Sequence, residues 1–536
     1  MLVKIHNDPA NGFGSPGALA PRSDILLAVF SGVLLALSFP RFGQPGFAWI
    51  ALVPLLAALA LRHQPSDSGL RTPDSGISGR SFLLGFLTGL VYFGGTLYWV
   101  ASVMRIYGGL NGVVSVAVAL ALVAYLALYP ALFALISGRL IAVLGPVALL
   151  ISPAVWVTTE FGRAHLFTGF PWVLVGYSQA PVLQIAQIAS LVGIFGLSAL
   201  VAIVNAVLAY LFFTRSLRAR MAAVSVAVAC VVAASAWGTL RIRDGRLTRE
   251  GALLRVGLVQ GNVPQDEKWD AARASEIFQR YLQLTRDAAA RGARLIIWPE
   301  SSTPFLFEDD PYVHDTIRRI AIDTNAYILV GSDQIERTQP PRYYNAAFMV
   351  GPDGRTLAVY RKIHLVPFGE YVPLKRLLFF AAPLVQAVSD FSPGEQAVLL
   401  PFGGHPISTA ICFEVVYPEL VRRSVLAGSE LLTTITNDAW FGTSSAPYQH
   451  FEQASVRAIE EGRYLVRSAN TGISGIVDPY GRVLQESRLF EPAVLVGQVR
   501  ALTGLTLYAR IGDFVAYLAI LVTLAALVAG IVRGRR

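Results

Sequence analysis

The stretches ARLIIWPES (293–301) and PISTAICFE (406–414) decide the fold of the C-terminal half of this chain. Each is a short apolar, β-rich run that ends in polar residues, which is typical of a strand buried in a sheet. Runs of the same kind are LLRVGLVQGN (253–262), AYILVGSD (326–333) and LLTTITND (431–438). Because helix-like polar stretches separate these runs, residues 251–501 are predicted to form an α/β domain.

Two turn signals add antiparallel strands to this domain. PDG at 352–354 and PYG at 479–481 lie between strand-like flanks. Pro and Gly at these spacings favour tight turns. Antiparallel hairpins are therefore predicted beside the parallel part of the sheet.

The rest of the chain has the composition of a membrane protein. Hydrophobic residues make up 54% of the 536 residues and charged residues only 15%, whereas soluble domains carry about 25% charged residues. Apolar stretches long enough to suggest spans lie near 25–40, 46–61, 81–103, 112–137, 140–158, 189–213, 221–238 and 514–532. The predicted division is a membrane domain of about seven helices (1–240), the α/β domain (251–501), and a C-terminal helix with a tail (511–536).

The distribution of basic residues predicts the orientation. If the connectors alternate between the two sides, one side carries only Arg41, Arg105 and Arg163. The other side carries Lys4, Arg22, Arg62, Arg71, Arg80, Arg139, Arg215, Arg218, Arg220, Arg533, Arg535 and Arg536. The positive-inside rule then predicts that both termini are cytoplasmic and that the α/β domain is periplasmic, in a bacterial inner membrane. Arg241, Arg243, Arg246 and Arg249 are exceptions on the outer side, where a long domain translocates largely regardless of charge.

Charge and cysteine content exclude several function classes. The net charge of +9 does not come from a basic stripe interleaved with aromatic residues, so no nucleic-acid partner is predicted. The two cysteines, Cys230 and Cys412, form no CxxC or Cys/His cluster. We therefore predict neither a disulfide framework nor a metal or other cofactor.

Three residues at the ends of strand-like runs are the candidate catalytic groups. Cys412 ends STAICFE, Glu300 ends RLIIWPE, and Lys362 lies in VYRKIHLVPFGEYVP (359–373). A cysteine nucleophile needs a base or a positive neighbour to form its thiolate. Taken singly, a buried cysteine is usually inert, and a lone Glu or Lys is usually a cap or a solvated charge. If the runs share one sheet edge, the three groups can meet there.

The order Glu, Lys, Cys in these segments resembles the carbon-nitrogen hydrolase family, the nitrilase superfamily, over residues 254–500. The resemblance implies a four-layer αββα sandwich. It also implies that Glu300 is the general base, Lys362 stabilises the oxyanion and Cys412 forms a covalent acyl-enzyme. By the same resemblance, Glu370 supports the site.

One branch of that superfamily, the apolipoprotein N-acyltransferases, joins this domain to a multispan membrane portion, and the chain resembles it over nearly its whole length. The matching pieces are TGFPW (168–172), QGNVPQDEKWD (260–270), CFE (412–414) and NDAWFG (437–442). The resemblance implies that Trp269, Glu414 and Trp440 line or shape a lipid site. Phe413 stands where some members carry Tyr, which leaves no hydroxyl there.

The reaction implied by this resemblance is acyl transfer in two steps. Cys412 takes an acyl chain from a phospholipid of the phosphatidylethanolamine type, and the thioester passes it to the α-amino group of a diacylglyceryl lipoprotein. Water must be kept from the thioester, so an apolar loop over the cleft is expected. The candidate is PLKRLLFFAAPLVQAV (373–388).

Two other functions fit parts of the sequence. A membrane-anchored amidase would use the same three residues with water as the second nucleophile, although one helix suffices as an anchor. A receptor or transporter with an extracytoplasmic domain would carry ionisable residues within its spans. Glu160 is the clearest residue of that kind, and it lies near the end of a predicted span.

Overall fold

The computed structural model describes residues 23–62, 75–371 and 391–534. Helices dominate its N-terminal part, and two β-sheets with flanking helices follow. The N-terminal helices are α1 (Ser23–Leu37), α2 (Pro45–Ala48), α3 (Val53–Leu61), α4 (Ser75–Thr96), α5 (Trp99–Ile106), α6 (Gly112–Leu144), α7 (Ser152–His165), α8 (Leu183–Ala186), α9 (Ala189–Phe213) and α10 (Leu217–Asp244).

Close helix packing organises the membrane part. α4 lies against α6 along its length, and glycines on α4 permit this approach. A Cβ on Gly85 would lie 2.2 Å from the carbonyl oxygen of Pro130, and one on Gly89 would lie 2.6 Å from the Cα of Ala127. Small residues at helix contacts let backbones approach closely in lipid, where apolar burial alone gives helices little reason to associate.

Fewer helices qualify as membrane spans than the eight predicted stretches. Among the described residues, four are long and apolar enough: α6, α9, α10 and the C-terminal α16 (Phe514–Gly534). A fifth is added if α4 and α5, which meet at a bend of 57°, form one span. The stretches predicted at 25–40 and 46–61 contain only short helices.

The bounds predicted for the separate span at 140–158 differ from those of the helices. Gly145, with φ of 75°, ends α6, and a 3-10 turn over Pro146–Ile151 leads into α7. The apolar run therefore belongs to the end of one helix and the beginning of another. Hydropathy alone does not reveal this break, because the residues on both sides of the glycine are equally apolar.

The C-terminal part contains two six-stranded sheets. The first has the order β12-β1-β2-β3-β4-β5 and the second the order β11-β10-β9-β8-β7-β6. Their strands are β1 (Ala252–Gln260), β2 (Leu295–Ile297), β3 (Tyr327–Glu336), β4 (Arg342–Val350), β5 (Thr356–Arg361), β6 (Leu400–Phe402), β7 (His405–Ile411), β8 (Leu432–Thr436), β9 (Leu465–Ala469), β10 (Gly475–Val477), β11 (Val483–Glu486) and β12 (Ala493–Ala501).

Each of the five apolar runs overlaps one of these strands, and both turn signals join antiparallel pairs, β4 with β5 and β10 with β11. The strands β1, β2 and β3 are parallel, as are β7, β8 and β9. Gly354 and Gly481 both have positive φ at the turns. The predicted strands and hairpins are confirmed.

Helices cover the outer faces of the two sheets. They are α11 (Ala274–Ala290), α12 (Pro311–Thr324), α13 (Pro418–Leu426) and α14 (Ala446–Glu461), and the short α15 (Leu507–Ile511) leads to α16. α11 packs on β1, β2 and β12, whereas α13 and α14 pack on the second sheet, and the sheets contact each other through β1 and β9 and through β4 and β7. The predicted αββα sandwich joined to a multispan helical domain is confirmed.

Candidate active site

Sheet topology brings the three predicted catalytic residues together. Glu300 follows β2, Lys362 follows β5 and Cys412 follows β7. All three are buried, with 7%, 1% and 9% of their surface exposed. Lys362 Nζ lies 3.5 Å from Glu300 Oε1. A thiol, a carboxylate and an ammonium thus share one buried site where the two sheets meet, because the pKa of the thiol responds to both of the other groups.

Cys412 occupies a strained turn between a strand and a short helix. β7 ends at Ile411, and a 3-10 turn begins at Cys412, whose φ is 54°. This left-handed conformation is uncommon for a residue with a side chain, and such strain concentrates at functional sites. Burial raises the pKa of the Cys412 thiol, Glu300 raises it further, and Lys362 opposes the shift. The thiol is therefore protonated at rest and needs a base to become a nucleophile.

Lys362 is held between two carboxylates. Its Nζ donates to Glu370 Oε1 at 2.8 Å and lies within ion-pair distance of Glu300. Burial alone would lower the pKa of Lys362, but Glu370 and Glu300 outweigh it and raise that pKa. The ammonium therefore stays charged in the site, as an oxyanion stabiliser must.

Two asparagines that the sequence analysis did not identify as site residues orient these carboxylates. Asn345 Nδ2 donates to Glu300 Oε1 at 2.7 Å and to Glu370 Oε1 at 3.0 Å. The backbone N–H of Asn437 donates to Glu300 Oε2 at 2.9 Å. A lone Asn within the otherwise apolar end of β4 was the available signal for Asn345. NDAWFG was quoted as a motif, but its link to Glu300 depends on the tertiary structure.

A second buried lysine, also not predicted, lies beside Glu300. Lys268 Nζ donates to the backbone carbonyl of Glu300 at 3.2 Å, and the side chain is 3% exposed. Burial lowers the pKa of Lys268 to about 8, although Glu300 and Asp333 act in the opposite direction. Its neighbour Trp269 is half exposed, with the ring centroid 5.9 Å from Lys268 Nζ.

Glu414 braces the backbone near the site. It is fully buried, and its carboxylate accepts hydrogen bonds from the N–H groups of Ile363, His364 and Ile411 at 2.7, 3.1 and 2.7 Å. The hydroxyl of Tyr360 donates to both of its oxygens at 2.9 Å. Burial raises the pKa of Glu414 to about 7 against these donors. The carboxylate ties the segment after Lys362 to the strand that ends before Cys412.

Aromatic side chains join the site to the membrane helices. Phe413 stacks with Trp172 at a centroid separation of 6.0 Å. Trp440 packs edge-on to Tyr107 at 4.8 Å, and the Tyr107 hydroxyl donates to the carbonyl of Ala439. The site therefore lies directly against the segments of the N-terminal domain that follow α5 and α7. The predicted loop over the cleft, 373–388, lies outside the described residues.

Among the residues that the structure describes, no group of three or more His, Cys, Asp or Glu side chains is arranged to hold a metal ion. The buried groups next to Cys412 that carry charge are instead carboxylates and amines. This set can accept a proton from a thiol and stabilise a negative oxygen.

Comparison with known proteins covers both halves of the chain. Residues 255–506 match the carbon-nitrogen hydrolase family, and residues 31–207 match the apolipoprotein N-acyltransferase N-terminal domain. Apolipoprotein N-acyltransferase of Geobacter metallireducens is 43% identical over 506 residues, covering 93% of each chain. The Methylococcus capsulatus protein of the same name is 35% identical over 503 residues, covering 91% of this chain and 93% of its own.

Solved structures similar to this chain include an amidase of the nitrilase superfamily from Nesterenkonia. It is 22% identical, with a TM-score of 0.39, and the match covers 51% of this chain and 98% of the amidase. Nit3 of Saccharomyces cerevisiae is 18% identical, with a TM-score of 0.37, and the match covers 46% of this chain and 90% of that protein.

Proposed function

This chain belongs to the apolipoprotein N-acyltransferase family, and we propose that Cys412, Glu300 and Lys362 carry out its acyl transfer. The protein is a multipass membrane N-acyltransferase with a nitrilase-type hydrolase domain. The observation that carries the residue assignment is the enclosed site in which a protonated thiol, a carboxylate and a charged ammonium act on one another. A nucleophile, a base and an oxyanion donor are the groups that covalent acyl transfer requires.

In the first half-reaction, Glu300 takes the proton of the Cys412 thiol while the sulfur attacks an ester carbonyl of a phospholipid. Lys362, together with the backbone N–H of Phe413, stabilises the negative oxygen of the tetrahedral intermediate. The C–O bond then breaks, and Glu300 returns the proton to the departing lysophospholipid. The products are an acyl thioester on Cys412 and a lysophospholipid, and the donor is of the phosphatidylethanolamine type.

In the second half-reaction, the α-amino group of a diacylglyceryl lipoprotein attacks the thioester. Glu300 takes the proton that the amine loses on forming the amide. The C–S bond breaks, and the proton passes to the sulfur, which regenerates the thiol. Each substrate thus reacts in turn, so ping-pong kinetics are expected.

Glu370 supports this chemistry by pairing with Lys362, and Glu414 by bracing the backbone on both sides of the site. Trp269 and Trp440 lie near the two segments that contact Glu300, so we propose that they line the path of the acyl chains. Contact with the membrane helices keeps this path near the bilayer. Extracting an acyl chain into water would cost about 0.8 kcal/mol per CH₂.

The proposed arrangement is a bacterial inner-membrane protein with a periplasmic catalytic domain and both termini cytoplasmic. Its units are the membrane domain (1–240), the hydrolase domain (251–501) and the C-terminal helix with its tail (511–536). The excess of basic residues in the connectors assigned to the cytoplasm supports this orientation. It predicts that a cysteine placed at the C-terminus of a protein lacking both native cysteines reacts with an impermeant thiol reagent only after the inner membrane is opened.

Trapping the acyl-enzyme tests the chemistry. The purified full chain, in bilayer discs, is incubated with phosphatidylethanolamine labelled on its acyl chains, and the protein is examined for a label that hydroxylamine releases. We expect the label on Cys412 and its complete loss in Cys412→Ala. Cys230→Ala is the matched control, because Cys230 is the other cysteine of the chain and lies in α10, and it should label like the wild type.

Labelling that persists in Cys412→Ala would overturn the assignment of the nucleophile. The acceptor is tested by mass spectrometry of lipoprotein N-termini in cells depleted of the protein and supplied with wild type or Cys412→Ala. N-acylation that continues after depletion would overturn the proposed acceptor. If water removes the label from Cys412 and the lipoprotein amine does not, the result would instead favour a hydrolase.

A further inference from the structure

Three charged or polar side chains that the proposed chemistry does not use lie behind Cys412. They are Asp438, His450 and Arg467, with 1%, 0% and 0% of their surface exposed. Arg467 Nη2 donates to Asp438 Oδ2 at 2.8 Å and lies 3.0 Å from His450 Nδ1. Asp438 Oδ1 accepts the Thr436 hydroxyl at 2.9 Å and lies 3.1 Å from the same ring nitrogen.

The other ring nitrogen of the histidine reaches the nucleophile itself. His450 Nε2 lies 3.1 Å from the backbone carbonyl oxygen of Cys412. A carbonyl oxygen can only accept, so Nε2 must carry a hydrogen. The Arg467 guanidinium can only donate, so Nδ1 must offer its lone pair. In the opposite neutral tautomer, Nδ1–H could donate to Asp438. That hydrogen would then face the Arg467 guanidinium, however, and the Nε2 lone pair would face the Cys412 carbonyl oxygen, so two contacts would be repulsive.

The surroundings also keep the ring neutral. Burial lowers the pKa of His450, and Arg467 lowers it further, while Asp438 opposes the shift. The ring therefore has one donor and one acceptor, and both are engaged by the protein. An imidazole in this state is fixed in place and is not free to exchange a proton with substrate.

We propose that His450 is a positioning residue, whose Nε2–H holds the carbonyl of Cys412 and thereby keeps the nucleophile in its left-handed turn. This inference rests on the proposed function, in which Cys412 is the nucleophile. The strained φ of 54° at Cys412 is stable only if the surroundings determine it. Glu414 fixes the N–H of Ile411 on one side of that residue, and His450 fixes the carbonyl on the other.

The same helix connects this contact to the membrane domain. Gln449, adjacent to His450 on α14, accepts a hydrogen bond from the Trp172 indole at 2.7 Å. Its amide donates to the carbonyls of Pro40 and Thr96 at 2.9 and 3.1 Å. Two consecutive residues of α14 therefore have different partners: Gln449 contacts the N-terminal domain, and His450 contacts the Cys412 carbonyl. The contacts of Gln449 thus hold the same part of α14 that carries His450.

Two substitutions of similar polarity separate a positioning role from a general structural one. In His450→Gln, the longer amide can place an N–H near the former Nε2 and an oxygen near Arg467. In His450→Asn, the shorter amide can still meet Arg467, but its N–H cannot reach the Cys412 carbonyl. We expect His450→Asn to lower kcat about 100-fold, the loss that a misplacement of about 1 Å can produce, with KM for phospholipid changed less than about twofold.

His450→Gln should recover kcat to within about fivefold of the wild type. Both variants are assayed as full chains in bilayer discs, by steady-state acyl transfer to a diacylglyceryl lipopeptide over a range of phospholipid concentrations. A wild-type kcat in His450→Asn would overturn the inference, as would equal losses in the two variants or a change confined to KM. Cys412→Ala, run in parallel, keeps the two proposals distinct, because its activity bears on the nucleophile and not on His450.

Discussion

Glu300 and Glu414 are two buried carboxylates near Cys412, and their partners differ in kind. Glu300 is oriented by the Asn345 amide and the Asn437 N–H, and it faces Lys362 across 3.5 Å. Glu414 accepts three backbone N–H groups and a tyrosine hydroxyl. The first carboxylate acts electrostatically on the thiol, whereas the second holds the backbone that carries it.

This difference in partners separates a carboxylate that can take part in proton transfer from one that stabilises the fold. A carboxylate whose oxygens are all taken by backbone donors is a fixed part of the fold, because moving it would break several hydrogen bonds at once. A carboxylate held by two donors and facing a cation can gain and lose a proton with little rearrangement. Both residues are glutamates in short motifs, so residue type alone does not distinguish their roles.

The largest expected effect comes from removing the proposed base, Glu300. Glu300→Gln keeps the size of the side chain and its contact with the Asn437 N–H, but it cannot accept the thiol proton. We expect acyl-cysteine formation to fall about 1,000-fold, within the usual range for general-base catalysis. Rapid-quench measurement with labelled phospholipid provides the rate. A loss below about tenfold would place the base elsewhere.

A smaller effect, mainly on stability, is expected at the brace. Glu414→Gln replaces one acceptor oxygen by a donor that faces backbone N–H groups, at a cost of about 1–3 kcal/mol in the free energy of unfolding. Tyr360→Phe is the matched control, because it removes one donor and leaves the carboxylate in place. Thermal unfolding of the two variants and the wild type, all in one detergent, measures the change in stability. The comparison of the two glutamates fails if Glu414→Gln is as stable as the wild type and yet inactive.

Lys268 offers a third substitution with a smaller effect, next to Glu300. Lys268→Met removes the hydrogen bond to the Glu300 carbonyl, and we expect the acylation rate to fall about tenfold, a loss of about 1.4 kcal/mol. Burial lowers the pKa of Lys268 to about 8 in the folded state, so the folded protein binds this proton less well than the unfolded chain. The stability contributed by Lys268 is therefore complete above its unfolded pKa and is lost as pH falls through about 8.

Comparing unfolding free energies at pH 9 and pH 7 tests this sign. Wild type should lose more stability than Lys268→Met over this interval, and Lys268→Arg is a control that keeps a charge. An equal loss in wild type and Lys268→Met would show that Lys268 has an ordinary proton affinity. The difference between the two proteins isolates this group, because other titrating residues are common to both.

The smallest effect is expected at Phe413, the residue that follows Cys412. The ring is 8% exposed and packs against Trp172 and Tyr417. Phe413→Tyr should change the acylation rate less than about threefold, because the proposed oxyanion donor is the backbone N–H and not the ring. Phe413→Leu is the control for packing. A gain above about tenfold in Phe413→Tyr would assign the hydroxyl a role in the chemistry.

Much of the architecture could be predicted because its signals are local. The apolar runs before Glu300 and Cys412 and the PDG and PYG turns identified strands and hairpins without reference to other parts of the chain. Helix boundaries in the membrane domain were harder to predict. Gly145 and the 57° bend between α4 and α5 interrupt stretches whose hydropathy is continuous. Hydropathy averaged over neighbouring residues does not detect a change in the backbone conformation at a single residue.

The supporting residues were missed for a different reason. Asn345, Lys268 and His450 each act through a contact with a residue at least 32 positions away. Glu414 belonged to a recognised motif, but its motif did not indicate whether the carboxylate faces lipid or backbone. These contacts depend on which strands are neighbours, and strand order is a property of the whole sheet.

By itself, the sequence determined the fold class, the membrane association and the identity of three candidate catalytic residues, because apolar periodicity and short motifs are written in consecutive residues. The tertiary structure decided the rest: the left-handed turn at Cys412, the ammonium between two carboxylates, and the histidine that contacts the Cys412 carbonyl. Each of these depends on distances between segments that are remote in the chain. Only the packing of two sheets against each other and against the membrane helices sets those distances.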